Sequence, residues 1–204
     1  MLRVGAKPGD ASAAMILLHG RGASADDILS LAEHFMRDDV AYLAPDAVGH
    51  TWYPLPFMNP VERNEPYLSS ALLLIGTVVK SVEAEGVPAD RIVILGFSQG
   101  ACLTTEYAAR NARRYGGIVA LTGGLIGAEV RRENYRGDFG GTPALIGSSD
   151  VDPHVPLARV HETTAVLKYL GAAVDERIYP GMGHTANADE VAWVGALLDR
   201  VAAD

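Results

Sequence analysis

Short apolar runs alternate with longer segments of helical periodicity along most of this 204-residue chain. Several of the runs are apolar at every position, as expected of parallel strands that are covered on both faces. Strands and helices in turn form βαβ units, which predict an α/β fold with a mostly parallel sheet flanked by helices. The predicted strands cover residues 13–19, 40–45, 91–97, 116–122, 142–148 and 173–180, and the predicted helices lie near 24–37, 66–85, 98–112, 155–170 and 187–202.

The order of these elements also predicts where chemistry takes place. In open parallel sheets, ligands bind at the loops that follow the carboxyl ends of the strands. We therefore expect functional residues in the loops after the six predicted strands. Ser24, Ser98 and Asn187 stand where predicted helices begin, and their side chains are suited to cap the first turn.

Composition limits the class of protein. With 49% hydrophobic and 21% charged residues the chain can bury a full core, and we expect one domain over residues 1–204. A net charge of -8 without a cluster of Lys or Arg argues against nucleic acid as a partner. The one cysteine, Cys102, excludes an intrachain disulfide and fits a reducing compartment.

The N-terminal part of the sequence bears on targeting and on membrane association. The N-terminal stretch MLRVGAKPGD lacks the apolar segment of a leader peptide, and the run AAMILLH is too short to span a membrane. We therefore expect an unprocessed cytoplasmic protein without a membrane span. The sequence leaves the oligomeric state open, a homodimer included.

The stretch ILGFSQGACL, residues 94–103, contains the pattern GxSxG between a predicted buried strand and an amphipathic helix. In this context the pattern is typical of a nucleophile elbow, a sharp turn that exposes the serine hydroxyl. Gly96 and Gly100 fit such a turn, because side chains there would clash where strand and helix pass closely. The alternative is that Ser98 only caps the helix. The context favours Ser98 as a nucleophile.

A nucleophilic serine needs a general base and an acid that orients the base, and after such an elbow they follow in that chain order: serine, acid, histidine. Asp150 and Asp152 both follow the fifth predicted strand, and chemistry alone does not separate them. His184 follows the sixth strand in the glycine-containing loop GMGHT and is the expected base. His154 lies too close to the acid in sequence, and His161 falls within a predicted helix.

The loop HGRGAS, residues 19–24, follows the first predicted strand and can supply a backbone N–H to an oxyanion. We expect this donor from Arg21, and a second one from Gln99, the residue after the predicted nucleophile. A phosphate-binding loop is the weaker interpretation, since GxxxxGK[ST] and GxGxxG are both absent. The histidines lack ligand spacing such as HExxH, so the sequence predicts no metal site.

The segments LLHGRGAS, LAPDA, GFSQGA, DVDPHVP and GMGHT occur here in one order. In these segments the chain resembles the phospholipase/carboxylesterase family of small α/β-hydrolases, which includes acyl-protein thioesterases. The resemblance covers nearly the whole chain and implies a minimal α/β-hydrolase fold without a large cap domain. It implies a serine esterase that needs no cofactor and acts on small-molecule esters. Matched residue by residue, it makes Ser98 the nucleophile, Asp152 the acid, His184 the base, and the backbone of Arg21 and Gln99 the oxyanion hole.

Two departures from the family's pattern bear on the substrate. Arg21 stands where the thioesterases usually carry Leu, which places a cation beside the predicted site. The segment VGHTWYPLPFMNP also differs from its counterpart in the family, and its residues Trp52, Tyr53 and Phe57 can line an aromatic substrate pocket together with Arg21. The alternative is that these aromatic residues belong to the core. Both departures favour short-chain or aryl esters over long acyl chains.

Other activities use the same catalytic machinery, so the prediction of a carboxylesterase leaves alternatives. An acyl thioesterase or lysophospholipase, an acyltransferase and a C–C bond hydrolase are enzymes of this kind. A non-enzymatic binding module has no need of a nucleophile, an acid and a base together. Cys102 lies one helical turn after Ser98, and we expect a buried, inert thiol rather than an alternative nucleophile.

Overall fold

A seven-stranded sheet forms the centre of the protein, here a computed structural model that describes residues 1–203. The strands are β1 Leu2–Gly5, β2 Ala13–Leu18, β3 Val40–Ala44, β4 Ile92–Phe97, β5 Gly117–Leu121, β6 Pro143–Ser149 and β7 Ala173–Tyr179. They are arranged in the order β1-β3-β2-β4-β5-β6-β7, and all neighbours are parallel except β1 and β3. The predicted mostly parallel sheet is confirmed, and all six predicted strands are present.

The sequence analysis missed strand β1, which pairs antiparallel with β3 at the edge of the sheet. Its four residues, Leu-Arg-Val-Gly, are partly or fully exposed. A strand of this length with one covered face has no continuous apolar run, so nothing in the local pattern distinguishes it from a loop.

Five helices cover the two faces of the sheet, as predicted. They are α1 Ala25–Ala32, α2 Tyr67–Ala84, α3 Gln99–Arg110, α4 Leu157–Tyr169 and α5 Ala188–Ala203. Helix α1 is shorter than the predicted range 24–37. After Ala32 the chain turns, because the Phe35 N–H donates to the Ala32 carbonyl and the Arg37 N–H donates to the Tyr42 hydroxyl.

Alternate residues of the central strands build two separate cores. Along β2, Ala14, Ile16 and Leu18 face one core, and the residues between them face the other. Helices α2, α3 and α4 contribute to the first core, and α1 and α5 to the second. Because both faces are covered, the central strands are apolar at every position, which is the pattern seen in the sequence.

Of the helices within residues 1–203, α2 alone has the length and apolar composition of a membrane span, with 33% of its residues buried. Its buried residues recur every three or four positions, which places one face of the helix on the sheet. This is the pattern of a helix that packs on a core. The buried positions are Leu68, Ala71, Ile75, Val78, Val79 and Val82.

The three predicted caps behave differently. The Ser24 side chain accepts the Asp27 N–H while Asp27 accepts the Ser24 N–H, a reciprocal capping box. The Asn187 side chain likewise accepts the Glu190 N–H, and Glu190 accepts the Asn187 N–H. Ser98 stands at the N-cap position of α3, but its side chain makes no capping hydrogen bond. Its hydroxyl is therefore free for another partner.

Candidate active site

Ser98 lies in the turn between β4 and α3, near the centre of the sheet. Its backbone has φ 54° and ψ −115°, a conformation that costs energy for any residue except glycine. The turn is tight on both sides. A Cβ at Gly96 would lie 2.2 Å from the Gly100 carbonyl oxygen, and a Cβ at Gly100 would lie 2.0 Å from the Leu18 carbonyl oxygen. The pattern GxSxG thus meets a steric requirement of this turn.

The structure brings Ser98, His184 and Asp152 into one hydrogen-bonded line. Ser98 Oγ lies 2.7 Å from His184 Nε2, and His184 Nδ1 lies 2.7 Å from Asp152 Oδ2. The other carboxylate oxygen, Oδ1, accepts the backbone N–H groups of His154 at 2.8 Å and Val155 at 3.1 Å. The Asp152 side chain is completely buried, so these bonds fix its orientation. With Nδ1 as the donor to Asp152, Nε2 presents a lone pair to the serine hydroxyl.

Asp150, the other acid left open by the sequence, has a different partner. Its Oδ1 accepts the backbone N–H of Gly181 at 2.8 Å, in the loop that carries His184. Asp150 therefore fastens the loop after β6 to the loop after β7, while Asp152 contacts the imidazole. Of the two candidate acids, the structure thus places Asp152 and not Asp150 in contact with His184.

Two backbone N–H groups beside Ser98 remain without an acceptor in the part of the chain that the structure describes, those of Arg21 and Gln99. The loop that carries Arg21 is fixed by the buried His19. His19 Nδ1 donates to the Gly20 carbonyl at 2.7 Å, and Nε2 accepts the Ala47 N–H at 3.1 Å. An oxyanion hole in this fold takes one N–H from each of two loops, and these two free donors come from the loop after β2 and from the start of α3.

The side chains of Arg21 and Gln99 hold the segment 52–55, which forms one wall of the site. The Arg21 guanidinium donates to the carbonyl oxygens of Tyr53, Pro54 and Leu55, at 2.9, 3.0 and 3.2 Å. The Gln99 side chain accepts the Trp52 N–H at 3.0 Å and donates to the Tyr53 carbonyl at 2.8 Å. Both residues that offer a backbone N–H beside Ser98 thus also position this wall.

A cavity of about 550 Å³ opens above Ser98. Of the aromatic residues predicted to bind substrate, Tyr53 and Phe57 line it. Trp52 does not line it; its ring packs against His19 in the interior, and its indole N–H donates to the His19 carbonyl. The prediction for Trp52 therefore needs correction, because the hydrogen bonds to Gln99 and His19 turn it toward the core. The complete lining is Arg21, Tyr53, Pro54, Pro56, Phe57, Ser98, Gln99, Cys102, His154, Val155 and His184.

His154 is a cavity residue that the sequence analysis set aside. Its ring meets that of His184 edge-on, with centroids 4.9 Å apart. The closeness of His154 to Asp152 in the sequence argued only against its role as the base. The same closeness could have indicated that His154 lies beside the cavity, because the loop that brings Asp152 to His184 also carries His154.

Cys102 lies below Ser98 at the bottom of the cavity and is buried. Burial raises the pKa of its thiol to about 12, so the thiolate is not populated near neutral pH. Burial also raises the pKa of the neighbouring Tyr53 hydroxyl well above its ordinary value. Across residues 1–203, no three His, Cys, Asp or Glu side chains are grouped so that they could hold a metal ion.

Fold and site geometry together define an α/β-hydrolase with a serine at the elbow. The sequence profile of the phospholipase/carboxylesterase family matches residues 1–201, and the chain belongs to this family. It is accordingly an ester-hydrolysing enzyme, from a family that contains carboxylesterases and acyl-protein thioesterases.

Individual relatives agree with this membership. The chain is 49% identical to the phospholipase/carboxylesterase of Dyadobacter fermentans, whose crystal structure superimposes with a TM-score of 0.93 and covers 97% of this chain and 94% of its own. It is 28% identical to acyl-protein thioesterase 1 of Neurospora crassa, over 88% of this chain and 83% of that protein. It is 26% identical to the enzyme of the same name from Saccharomyces cerevisiae, over 93% of each chain.

Proposed function

We propose that the protein is a serine carboxylesterase that forms an acyl-enzyme on Ser98. The observation that carries this proposal is the continuous line Ser98–His184–Asp152, with 2.7 Å at both steps, beside the free N–H groups of Arg21 and Gln99. A binding protein would gain nothing from a strained serine held against a histidine. Nucleophile, base, acid and electrophilic donors within one cavity support an enzyme.

In the first half of the reaction, Ser98 Oγ attacks the ester carbonyl while His184 Nε2 removes its proton. Asp152 holds the imidazole in the required tautomer and stabilises the cation that forms. The carbonyl oxygen becomes an oxyanion and accepts the N–H groups of Arg21 and Gln99. The imidazolium then gives its proton to the leaving alkoxide, and the alcohol departs.

In the second half, His184 removes a proton from water, and the resulting hydroxide attacks the acyl-enzyme. The same two N–H groups stabilise the second oxyanion, and the proton returns to Ser98 when the carboxylic acid leaves. Each step thus uses groups that are already in hydrogen-bond contact or free to donate. We expect no cofactor and no metal in this cycle.

The cavity supports short-chain or aryl esters as substrates. Tyr53 and Phe57, which are both nearly buried, border the cavity with aromatic rings, and two prolines stiffen the wall between them. The chain that forms this wall is fixed by five hydrogen bonds from Arg21 and Gln99, so the wall resists displacement by a long acyl chain. The second candidate is an acyl thioesterase, which the similarity to acyl-protein thioesterase 1 supports.

A panel of acetyl, butyryl, octanoyl, palmitoyl and benzoyl esters, each with its thioester, tests the proposal. We expect the highest kcat/KM with the short or benzoyl oxygen esters. The variant Ser98→Ala should lose about 10⁴-fold in kcat on every substrate, because it cannot form the acyl-enzyme. Turnover within tenfold of the native enzyme would remove Ser98 from the mechanism. Preference for palmitoyl thioesters would favour the second candidate.

A further inference from the structure

The side chains that line the cavity above Ser98 differ in charge from the protein as a whole. The chain carries a net charge of -8, yet no Asp or Glu lines the cavity above Ser98 within residues 1–203. The nearest carboxylate in the catalytic line, Asp152, is buried and is bonded to His184 and two backbone N–H groups. The formal charge on the cavity lining therefore comes from Arg21.

The Arg21 guanidinium forms no ion pair with a carboxylate in the described part of the chain. Its three hydrogen bonds go to neutral carbonyl groups, which hold the guanidinium in place but leave its charge unpaired. A guanidinium has five N–H donors, so the Nε–H and one Nη1–H remain available. The side chain is thus a fixed cation with two unused donors at an exposed edge of the cavity.

His154 provides a second polar group on the same cavity. Its ring is exposed, and neither ring nitrogen makes a hydrogen bond to any described residue; the hydrogen bond to Asp152 comes from the backbone N–H. It comes from the loop after β6, whereas Arg21 comes from the loop after β2. The lining of the cavity above Ser98 thus includes two side chains with unused N–H donors, one from each of two separate loops.

We propose that the substrate carries a carboxylate beside its ester, and that Arg21 binds this carboxylate with assistance from His154. A guanidinium in fixed orientation binds a carboxylate better than a mobile one, because less conformational entropy is lost on binding. A cation on the cavity wall, with no carboxylate on the described lining, also attracts an anionic substrate locally. This inference rests on the proposed esterase function and specifies its substrate class.

Two pairs of esters test the proposal, one for each side of the scissile bond. For the alcohol side, 4-acetoxybenzoate is compared with its methyl ester. For the acyl side, the monophenyl ester of adipic acid is compared with its methyl ester. Release of the phenol is measured in both members of each pair, so that the same ester bond is compared, and the neutral member carries a methyl ester in place of the carboxylate. The ratio of kcat/KM, anionic over neutral, is independent of the amount of folded enzyme.

We expect a ratio of about ten in at least one pair at low salt. It should decrease toward one as NaCl is raised to about 0.5 M, because salt screens a partly exposed charge. Arg21→Met should bring the ratio close to one. Arg21→Lys should retain much of the ratio, although it loses the three-carbonyl contact and lowers kcat/KM for both esters. His154→Leu should lower the ratio by a smaller factor.

Arg136→Met is the matched control, because it changes the net charge equally at an exposed position outside the cavity. It should leave the ratio unchanged. A ratio of one or below in both pairs would overturn the proposal, as would an elevated ratio that persists in Arg21→Met. If Arg21→Met does not fold, the salt dependence of the native enzyme and His154→Leu decide. Failure of the esterase function itself is distinct, since then no neutral ester is hydrolysed either.

Discussion

Two aspartates two residues apart, Asp150 and Asp152, illustrate how position assigns different roles to one side-chain type. Asp152 contacts His184, and Asp150 holds the Gly181 N–H in the neighbouring loop. An amide in place of Asp150 still offers an oxygen to that N–H. An amide in place of Asp152 cannot stabilise an imidazolium and favours the wrong histidine tautomer.

We therefore expect Asp152→Asn to lower kcat by about 10³- to 10⁴-fold. Asp150→Asn should remain within about threefold of the native enzyme, because its hydrogen bond to Gly181 persists. Steady-state kinetics on one short-chain ester, with circular dichroism to verify folding, measures both. A larger loss at Asp150 than at Asp152 would reverse the two roles.

Cys102 offers a second prediction at this scale. Since burial raises the pKa of its thiol to about 12, iodoacetamide at pH 7.5 should neither label nor inactivate the native protein. Cys102→Ala should hydrolyse esters within a few-fold of the native rate. Labelling that accompanies loss of activity and is prevented by substrate would return Cys102 to consideration as a nucleophile.

Ser98 and His184 could be proposed from local sequence signals, a tight turn and a glycine loop after a strand. The same signals left the acid open between Asp150 and Asp152, and only the family resemblance favoured Asp152. The wall contacts of Arg21 could not be predicted, because they depend on how a loop 32 to 34 residues further along the chain folds over it. Trp52 was misjudged for the same reason. An aromatic residue near a predicted site has the same sequence signal whether it faces the cavity or the core.

At the scale of single elements, two helix ends show that a serine at the N-cap position need not cap the helix. Ser24 caps α1, whereas Ser98 occupies the same position on α3 and directs its hydroxyl to His184.

Ser24→Ala should lower the free energy of unfolding by about 1 kcal/mol. Ser98→Ala should change it much less, because no capping bond is lost. Urea denaturation of both variants measures the difference, and equal losses would show that Ser98 acts as a cap.

Helix α5 begins with a buried carboxyl group. Glu190 accepts the Asn187 N–H through Oε2, while Oε1 lies against Gly147 of β6 and has no partner among residues 1–203. Burial is the main cause that raises the pKa of this carboxyl from 4.5 to about 7. The native state therefore holds a proton that the unfolded chain releases, and stability falls as pH rises between these two values.

The variant Glu190→Gln removes this titration. Its free energy of unfolding, relative to the native protein, should increase by about 1–3 kcal/mol between pH 5 and pH 8. Urea denaturation at the two pH values measures the change. A difference between the two proteins that stays constant with pH would show that Glu190 does not titrate in this range.

Element boundaries were predictable to different degrees. The fully apolar strands could be located well, because each is an uninterrupted run of apolar residues with polar residues near its ends. The edge strand β1 has no such signal, and α1 was predicted too long because Phe35 continues the helical spacing while its backbone already turns. The local sequence pattern does not reveal the turn after α1, because Tyr42, which stabilises this turn, lies in the next strand.

For the whole molecule, the alternation of strands and helices was sufficient to predict a parallel sheet with helices on both faces, and the ordered segments were sufficient to indicate the family. The order of strands in the sheet was not part of that prediction. It places β4 near the centre and β7 at the edge, with β5 and β6 between them. Pairing between strands far apart in sequence is decided by the packing of the complete chain.

This strand order places one part of the candidate active site next to an edge of the sheet. Ser98 follows a completely interior strand, whereas His184 follows β7, an edge strand whose residues are all at least partly exposed. Edge segments whose residues are partly exposed open at a lower free energy than the centre of a sheet. Fraying of β7 would carry His184 away from Ser98 and leave most of both cores intact. Thermal inactivation would then precede the loss of the fold, and residual activity would report on the integrity of one edge rather than on the melting of the protein.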